Sequence, residues 1–195
     1  GALIPDTGNG GLTLPEGFSA FIVADSVGHG RHLAVNTNGD LYLALQELKN
    51  GHGIAALRDT TGDGRADVVA YFGNLPGTGL QIYKGYLYFA HDTGVVRYRL
   101  TDALLPDTVP ETILYGFPRQ YQHAAKTIAF DNMGNLYVNI GAPSNACQQE
   151  DRTPGSPGMN PCPILENYGG IWRFKAEQPN QTQADGSRYA TGLRN

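Results

Sequence analysis

Five histidines, His29, His32, His52, His91 and His123, are the side chains of this sequence best suited to proton transfer. An imidazole changes charge near neutral pH, so it can act as a base or an acid without a large environmental shift. Oxygen ligands are concentrated in DTTGDGRAD, 59–67, where Asp59, Thr61, Asp63 and Asp67 fall at positions 1, 3, 5 and 9, with Gly64 at 6. Alternating oxygens around a glycine bend are how short calcium loops begin, yet position 12, Ala70, has no counterpart of the EF-hand glutamate. Two readings therefore stand for this loop: a structural calcium site, or a solvated Gly-Asp-Gly turn. Cys147 and Cys162 lie fifteen positions apart in a stretch with almost nothing apolar to hold it. A disulfide closing that loop is the favoured reading, against two free thiols in a reducing compartment. It implies a periplasmic or secreted protein.

These residues need a scaffold, and the scaffold is written as an internal repeat. Gly-x-Leu-Tyr followed by apolar residues occurs as GDLYLAL from Gly39, GYLYFAH from Gly85 and GNLYVNI from Gly134, with Tyr42, Tyr88 and Tyr137 spaced 46 and 49 residues apart. A second series follows in the same order (GIAALRD, GVVRYRL, GIWRFKA), then a third (DVVAYFGNL, ETILYGFP, SRYATGL). The spacing predicts four short strands, A to D, per unit. A strands are expected at 32–36, 79–83 and 126–130, and B strands at 40–46, 86–91 and 135–141. C strands are expected at 53–58, 94–99 and 170–175, and D strands at 66–72, 111–116 and 187–191. A four-stranded unit recurring at this period predicts an all-β chain of β-propeller blades rather than a sandwich. The units span 31–73, 77–117 and 124–191, the third with an insertion at 142–169.

GFSAFIVADSV, 17–27, reads as an additional strand of the kind that closes a propeller ring. Three blades cannot close a ring, so a longer protein or an assembly completed by another chain is expected. Of the 195 residues, 41% are hydrophobic and 16% charged, which excludes a disordered tail. A net charge of -4 supplies no basic stripe for nucleic acid. No apolar run is long enough for a membrane span. The opening GALIPDTGNGG shows neither the charged nor the apolar region of a signal peptide, as in a processed chain or one whose Gly1 is a tag remnant.

Antiparallel order within a blade sorts the loops, with B–C and D–A loops on one face and A–B and C–D loops on the other. All the histidines fall on the first face, together with the 142–169 insertion, the loop GNLPGTG at 73–79, and the terminal Arg194 and Asn195. For His29, His32, His52 and His91 taken singly, a hydrogen-bonded loop role is the simpler reading. The loop 59–67 falls on the opposite face.

The stretches QHAAKTIAFDNMGNLYVNIGAPSN, GGIWRFKAEQPNQTQADGSRYATGLRN and LPEGFSAFIVADSV resemble the glucose/sorbosone dehydrogenases, and most closely the sorbosone dehydrogenase-like group. The resemblance implies the N-terminal half of a six-bladed propeller that uses pyrroloquinoline quinone (PQQ) and calcium to oxidise an aldose or sorbosone-like sugar, passing electrons to an external acceptor. It further implies that His123 is the general base, that Arg194 and Asn195 contact the quinone, and that Lys126 assists in holding it. Two positions depart from the family: Ala142 stands where glucose-oxidising members have Asp, and Gly77-Thr78-Gly79 where they have Gln. The family's remaining PQQ contacts and calcium ligands follow the Arg-Asn pair, so this stretch alone is expected to hold the cofactor poorly. A non-catalytic propeller binding a glycan or protein through the same face is the alternative. A calcium-dependent lactonase is disfavoured, because the D–A loops carry few carboxylates.

Overall fold

The computed structural model describes residues 3–106 and 109–195; Gly1, the suggested tag remnant, lies outside the described residues. Twelve strands form three separate four-stranded antiparallel sheets, each a meander in chain order. Blade 1 holds β1 (Gly30–Val35), β2 (Leu41–Lys49), β3 (His52–Arg58) and β4 (Val68–Phe72). Blade 2 holds β5 (Gly77–Tyr83), β6 (Tyr86–His91), β7 (Gly94–Arg99) and β8 (Glu111–Leu114). Blade 3 holds β9 (Ile128–Phe130), β10 (Asn135–Ile140), β11 (Gly170–Lys175) and β12 (Ser187–Thr191). The remaining regular structure among the described residues is three short 3₁₀ turns.

The repeated residues work between blades and at blade tips. The Tyr42 hydroxyl donates to the Leu104 carbonyl of blade 2 at 3.0 Å. Tyr88, its equivalent, donates to the Ala176 carbonyl of blade 3, also at 3.0 Å. Each phenol thus pins one blade to the C–D connection of the next. Tyr137, in blade 3, turns instead to its own Asp131 at 2.9 Å. The glycines at or next to the start of the three C strands share a second reason. A Cβ on Gly53 would lie 1.6 Å from the Leu75 carbonyl oxygen, one on Gly94 2.2 Å from that of Leu114, and one on Gly170 2.4 Å from that of Ala190. The backbone leaving the D strand crosses over this position, and only hydrogen fits beneath it.

The apolar core lies between blades. Tyr42, Ala44, Ile54 and Phe72 of blade 1 pack on Leu80, Leu87, Phe89 and Tyr98 of blade 2. Tyr88, Val95, Ile113 and Leu114 pack on Leu136, Val138, Trp172 and Phe174 of blade 3. Thr112 and Ile113 of blade 2 accept hydrogen bonds from the Asn180 and Gln181 amides of blade 3, so the second interface also has a main-chain seam.

Three expectations need correction. Residues 77–79 belong to β5 rather than to a loop, and Thr78 is buried. Its hydroxyl accepts from the Lys126 amide at 2.8 Å and lies 3.2 Å from the Lys126 carbonyl, tying β5 to the entry of β9. Strand β9 accordingly begins at Ile128, because the Lys126 amide is spent on Thr78. The segment 17–27 forms no ladder among the described residues. A ring-closing strand needs an open sheet edge at the far side of the ring. Here the segment instead lies along the 59–67 loop, with the Ala66 amide donating to the Val23 carbonyl and Arg65 Nη1 to that of Ile22.

Candidate active site

His123 sits in the loop joining β8 to β9, and Arg194 follows β12; 71 residues separate them, and antiparallel order brings both to one end of blade 3. The Nδ1 atom of His123 lies 2.6 Å from the Ala142 carbonyl oxygen. A carbonyl can only accept, so Nδ1 carries the proton. Arg194 Nε lies 3.0 Å from His123 Nε2. A guanidinium can only donate, so Nε2 presents its lone pair. The two neighbours together select the neutral tautomer with its basic nitrogen pointed at Arg194 and solvent. The backbone of His123 is left-handed, at φ 51°, an uncommon conformation for a non-glycine residue and one held here by its surroundings.

Those surroundings are dense. A Cβ on Gly141 would lie 2.3 Å from the His123 carbonyl oxygen, 2.7 Å from the His123 Cβ and 3.0 Å from Asn195 Oδ1. Gly141 is therefore the floor on which the His123 loop and Asn195 rest. Asn139, two residues earlier on β10, donates to Asn195 Oδ1 at 3.3 Å and to the Ala125 carbonyl at 3.2 Å, and its own oxygen accepts from the Thr127 amide. The Ala142 amide donates to the Arg194 carbonyl at 2.8 Å, so the two segments that orient the imidazole also hold each other.

The insertion between β10 and β11 closes over this end of the blade. Cys147 and Cys162 are bonded as a disulfide, as expected, with Cα atoms 6.1 Å apart. The disulfide, Ile164, Leu165, Ala142, Ser144, Leu193 and Arg194 line a mainly apolar cavity of about 190 Å³. The Ser144 hydroxyl is buried and has no partner among the described residues.

Lys126 is not at the rim with His123. It is fully buried, its Nζ donates to the Ala124 carbonyl at 2.8 Å, and burial pulls its pKa down to about 8 against a small opposing pull from Asp92. Three of the other histidines have local contacts: His32 bonds the Thr78 carbonyl, His29 faces Glu47 at 3.1 Å in the open, and His91 Nδ1 lies 3.4 Å from the Thr93 amide; His52 opens β3.

The loop 59–67 does not gather its oxygens around a point. The Asp59 carboxylate accepts from the amides of Thr61, Gly62 and Gly64 at 3.0, 2.7 and 2.7 Å. Asp67 accepts from the Thr60 amide and hydroxyl, and Asp63 from the Arg65 amide. These bonds, led by the one from Gly64, hold Asp59 below the usual carboxylate range; Thr60 does the same for Asp67. The geometry is that of a self-capped turn. No group of three His, Cys, Asp or Glu side chains suited to a cation occurs among the described residues.

No family model matches this sequence, and no curated protein matches it. Solved structures do. The holo form of the pyranose dehydrogenase PQQ domain from Coprinopsis cinerea superposes with a TM-score of 0.68 at 16% identity, covering 89% of this chain and 41% of that one. An iodide structure of a Trichoderma reesei protein of Carbohydrate-Active Enzymes family AA12 gives 0.69 at 17% identity, covering 90% and 43%. The PQQ-bound aldose sugar dehydrogenase of Streptomyces coelicolor gives 0.50 at 18% identity, covering 78% and 46%. The shared feature is the fold. This chain is three blades of a β-propeller, and it spans less than half the length of these similar proteins.

The donors at the rim suit a planar polyanion such as PQQ. Neither Nη of Arg194 and no N–H of the Asn195 amide has a protein partner among the described residues, and both side chains are exposed. A guanidinium fork matches paired carboxylate or quinone oxygens. For calcium, the described residues offer no matching ligand set.

Asn139 and Gly141 were not singled out by sequence reasoning. The one available signal was the Gly141 that ends the third B strand, where the blade-to-blade repeat breaks and the insertion begins.

Proposed function

We propose that this chain is the N-terminal half of a PQQ-dependent sugar dehydrogenase, a periplasmic or secreted quinoprotein that oxidises an aldose or sorbosone-like sugar and delivers the electrons to an external acceptor. The observation that carries the reading is the His123–Arg194 pair, an oriented neutral imidazole beside a cation with unused donors. Likeness to the PQQ domain of a pyranose dehydrogenase over 89% of the chain supports it, as does the disulfide, which suits an oxidising compartment.

In this reading Arg194 and Asn195 would hold PQQ, which when bound would supply the hydride acceptor. Arg194 would then release His123 Nε2, and a sugar hydroxyl would take its place there. His123 accepts the hydroxyl proton there. The Nδ1–H bond to Ala142 fixes the ring plane and strengthens as the imidazolium forms. Ala142 replaces the family's aspartate in sequence, but its carbonyl supplies the orientation. Lys126 acts from the interior, bracing the loop through Ala124. A calcium structure of a Trichoderma reesei family AA12 protein is also similar to this chain, and in this reading calcium would be held by blades beyond these three.

The alternative, a propeller that binds a glycan or protein without catalysis, draws on Thr78, whose buried side chain leaves the rim without the family's glutamine. Dye reduction with sugar, PQQ and calcium separates the two readings. The protein at its full natural length is expected to turn over, and His123→Ala to lose turnover at least a hundredfold while PQQ absorbance on binding persists. Undiminished turnover in that variant refutes the role given to His123.

A further inference from the structure

The loop that carries His123 is clamped on both sides of one aromatic ring. Gln120 is buried, and its Nε2 lies 2.8, 3.3 and 3.0 Å from the carbonyl oxygens of Gln122, His123 and Gly141. Gln122 is tied to the insertion at both ends of its amide. Its Nε2 donates to Asp151 Oδ2 at 2.6 Å, and its oxygen accepts from Arg152 Nε at 2.7 Å. Asp151 is itself fixed by the Asn145 amide at 2.7 Å. Between these two anchored residues stands Tyr121, fully exposed. Burying a side chain of this size ordinarily gains about 1.5–3 kcal/mol. A slack loop would fold the ring down to collect that gain; this one has both neighbours committed elsewhere.

We propose that Tyr121 is the platform on which a pyranose ring of the substrate stacks, setting the sugar above His123. The inference rests on the sugar-oxidising reading and specifies how that site takes its substrate. A pyranose carries hydroxyls around its edge and C–H bonds on its faces. The tyrosine face is the negative side of the ring quadrupole and attracts such C–H groups. The backbone on either side of the ring is anchored through Gln120 and Gln122, and a tyrosine has only two side-chain torsions to fix on stacking. Tyr121 and His123 are two residues apart, so no more than about 7 Å of backbone separates them. In this proposal one sugar unit bridges the two residues, offering a hydroxyl to Nε2 and a C–H face to the phenol. The substrate class is then a pyranose, free or at the end of a glycan, rather than an open-chain polyol.

The test uses the full-length protein loaded with PQQ and calcium, with D-glucose as substrate and methyl β-D-glucopyranoside as a non-reacting probe. Tyr121→Ala is expected to raise KM about tenfold with kcat within threefold, and Tyr121→Phe to stay within twofold of wild type. PQQ affinity and Tm are expected to be unchanged in both. Saturation-transfer NMR on the PQQ-free protein is expected to show contact between aromatic protons and the axial C–H groups of the probe, lost in Tyr121→Ala. Three results overturn the proposal: an unchanged KM together with unchanged transfer, weakened PQQ binding that makes the ring a cofactor contact, or a lowered Tm that makes it packing for another blade. Transfer that vanishes in Tyr121→Ala in a protein without dehydrogenase activity keeps the platform and removes the dehydrogenase reading. An unchanged KM beside a dead His123→Ala variant does the reverse.

Discussion

Arg194 Nε approaches His123 Nε2 to 3.0 Å while the opposite ring nitrogen is held by the Ala142 carbonyl at 2.6 Å. The contact joins the end of β12 to the loop before β9, and it fixes the tautomer of the imidazole without any carboxylate. Serving a base through a backbone carbonyl leaves no compensating negative charge beside the ring. Arg194 must leave Nε2 before that nitrogen can accept a proton, and an anionic partner would draw it off. In the proposed enzyme, cofactor binding and readiness of the base are the same event.

Arg194→Lys keeps the charge and loses both the fork and the Nε–H. PQQ affinity, followed by absorbance in the full-length protein, is expected to fall about tenfold, equivalent to roughly 1.4 kcal/mol. Affinity equal to wild type would show that only charge matters at this position.

Gly141→Ala places a methyl group 2.3 Å from the His123 carbonyl oxygen, so the loop must move. Overpacking of this kind costs about 1–3 kcal/mol. Displacement of the base is expected to cost turnover about a hundredfold. Gly85→Ala is not a suitable control, because Gly85 has a positive φ. The control is Ala142→Ser, which keeps the carbonyl and is expected to retain turnover within a few fold.

Lys126 is fully buried, with a pKa pulled down to about 8 from an unfolded value near 10.5. Between those two values the unfolded chain binds more protons than the folded one, so this residue makes stability rise with pH, by up to about 1.4 kcal/mol per unit. Below pH 8 the full cost of a buried ammonium is felt. Lys126→Met is expected to raise Tm at pH 7 and to flatten the rise between pH 8 and 10. A parallel pH profile in the two proteins would count against the buried amine as its source.

Cys147 and Cys162 close a loop of fifteen residues. Replacing both with Ser is expected to destabilise the protein by about 3 kcal/mol on a loop-entropy basis. At roughly 2–4 °C per kcal/mol for a chain of this size, Tm should fall by about 6–12 °C. Because the bridge walls the cavity beside Arg194, PQQ affinity is expected to fall as well. A Tm indifferent to reductant in the wild type would contradict this.

Strand order, blade count and the assignment of loops to faces were legible in the sequence, because they depend on local periodicity. Alternation sets which side of each strand is buried, and the recurring Gly-x-Leu-Tyr marks the phenol that in the first two blades reaches the next blade's carbonyl. The placement of His123 and Arg194 on one face followed from antiparallel order alone. Tertiary structure decided the rest. Which histidine meets the arginine depends on two loops 71 residues apart closing over Gly141. Lys126 turned inward because the Ala124 carbonyl and the blade interface received it, and a charged residue three positions from a base carries no local sign of that. The carboxylates of 59–67 turned onto their own loop amides, where calcium and a capped turn share the same residue pattern. Segment 17–27 has the alternation of a strand, but a strand exists only where another edge accepts its hydrogen bonds, and that depends on neighbours in space rather than in sequence.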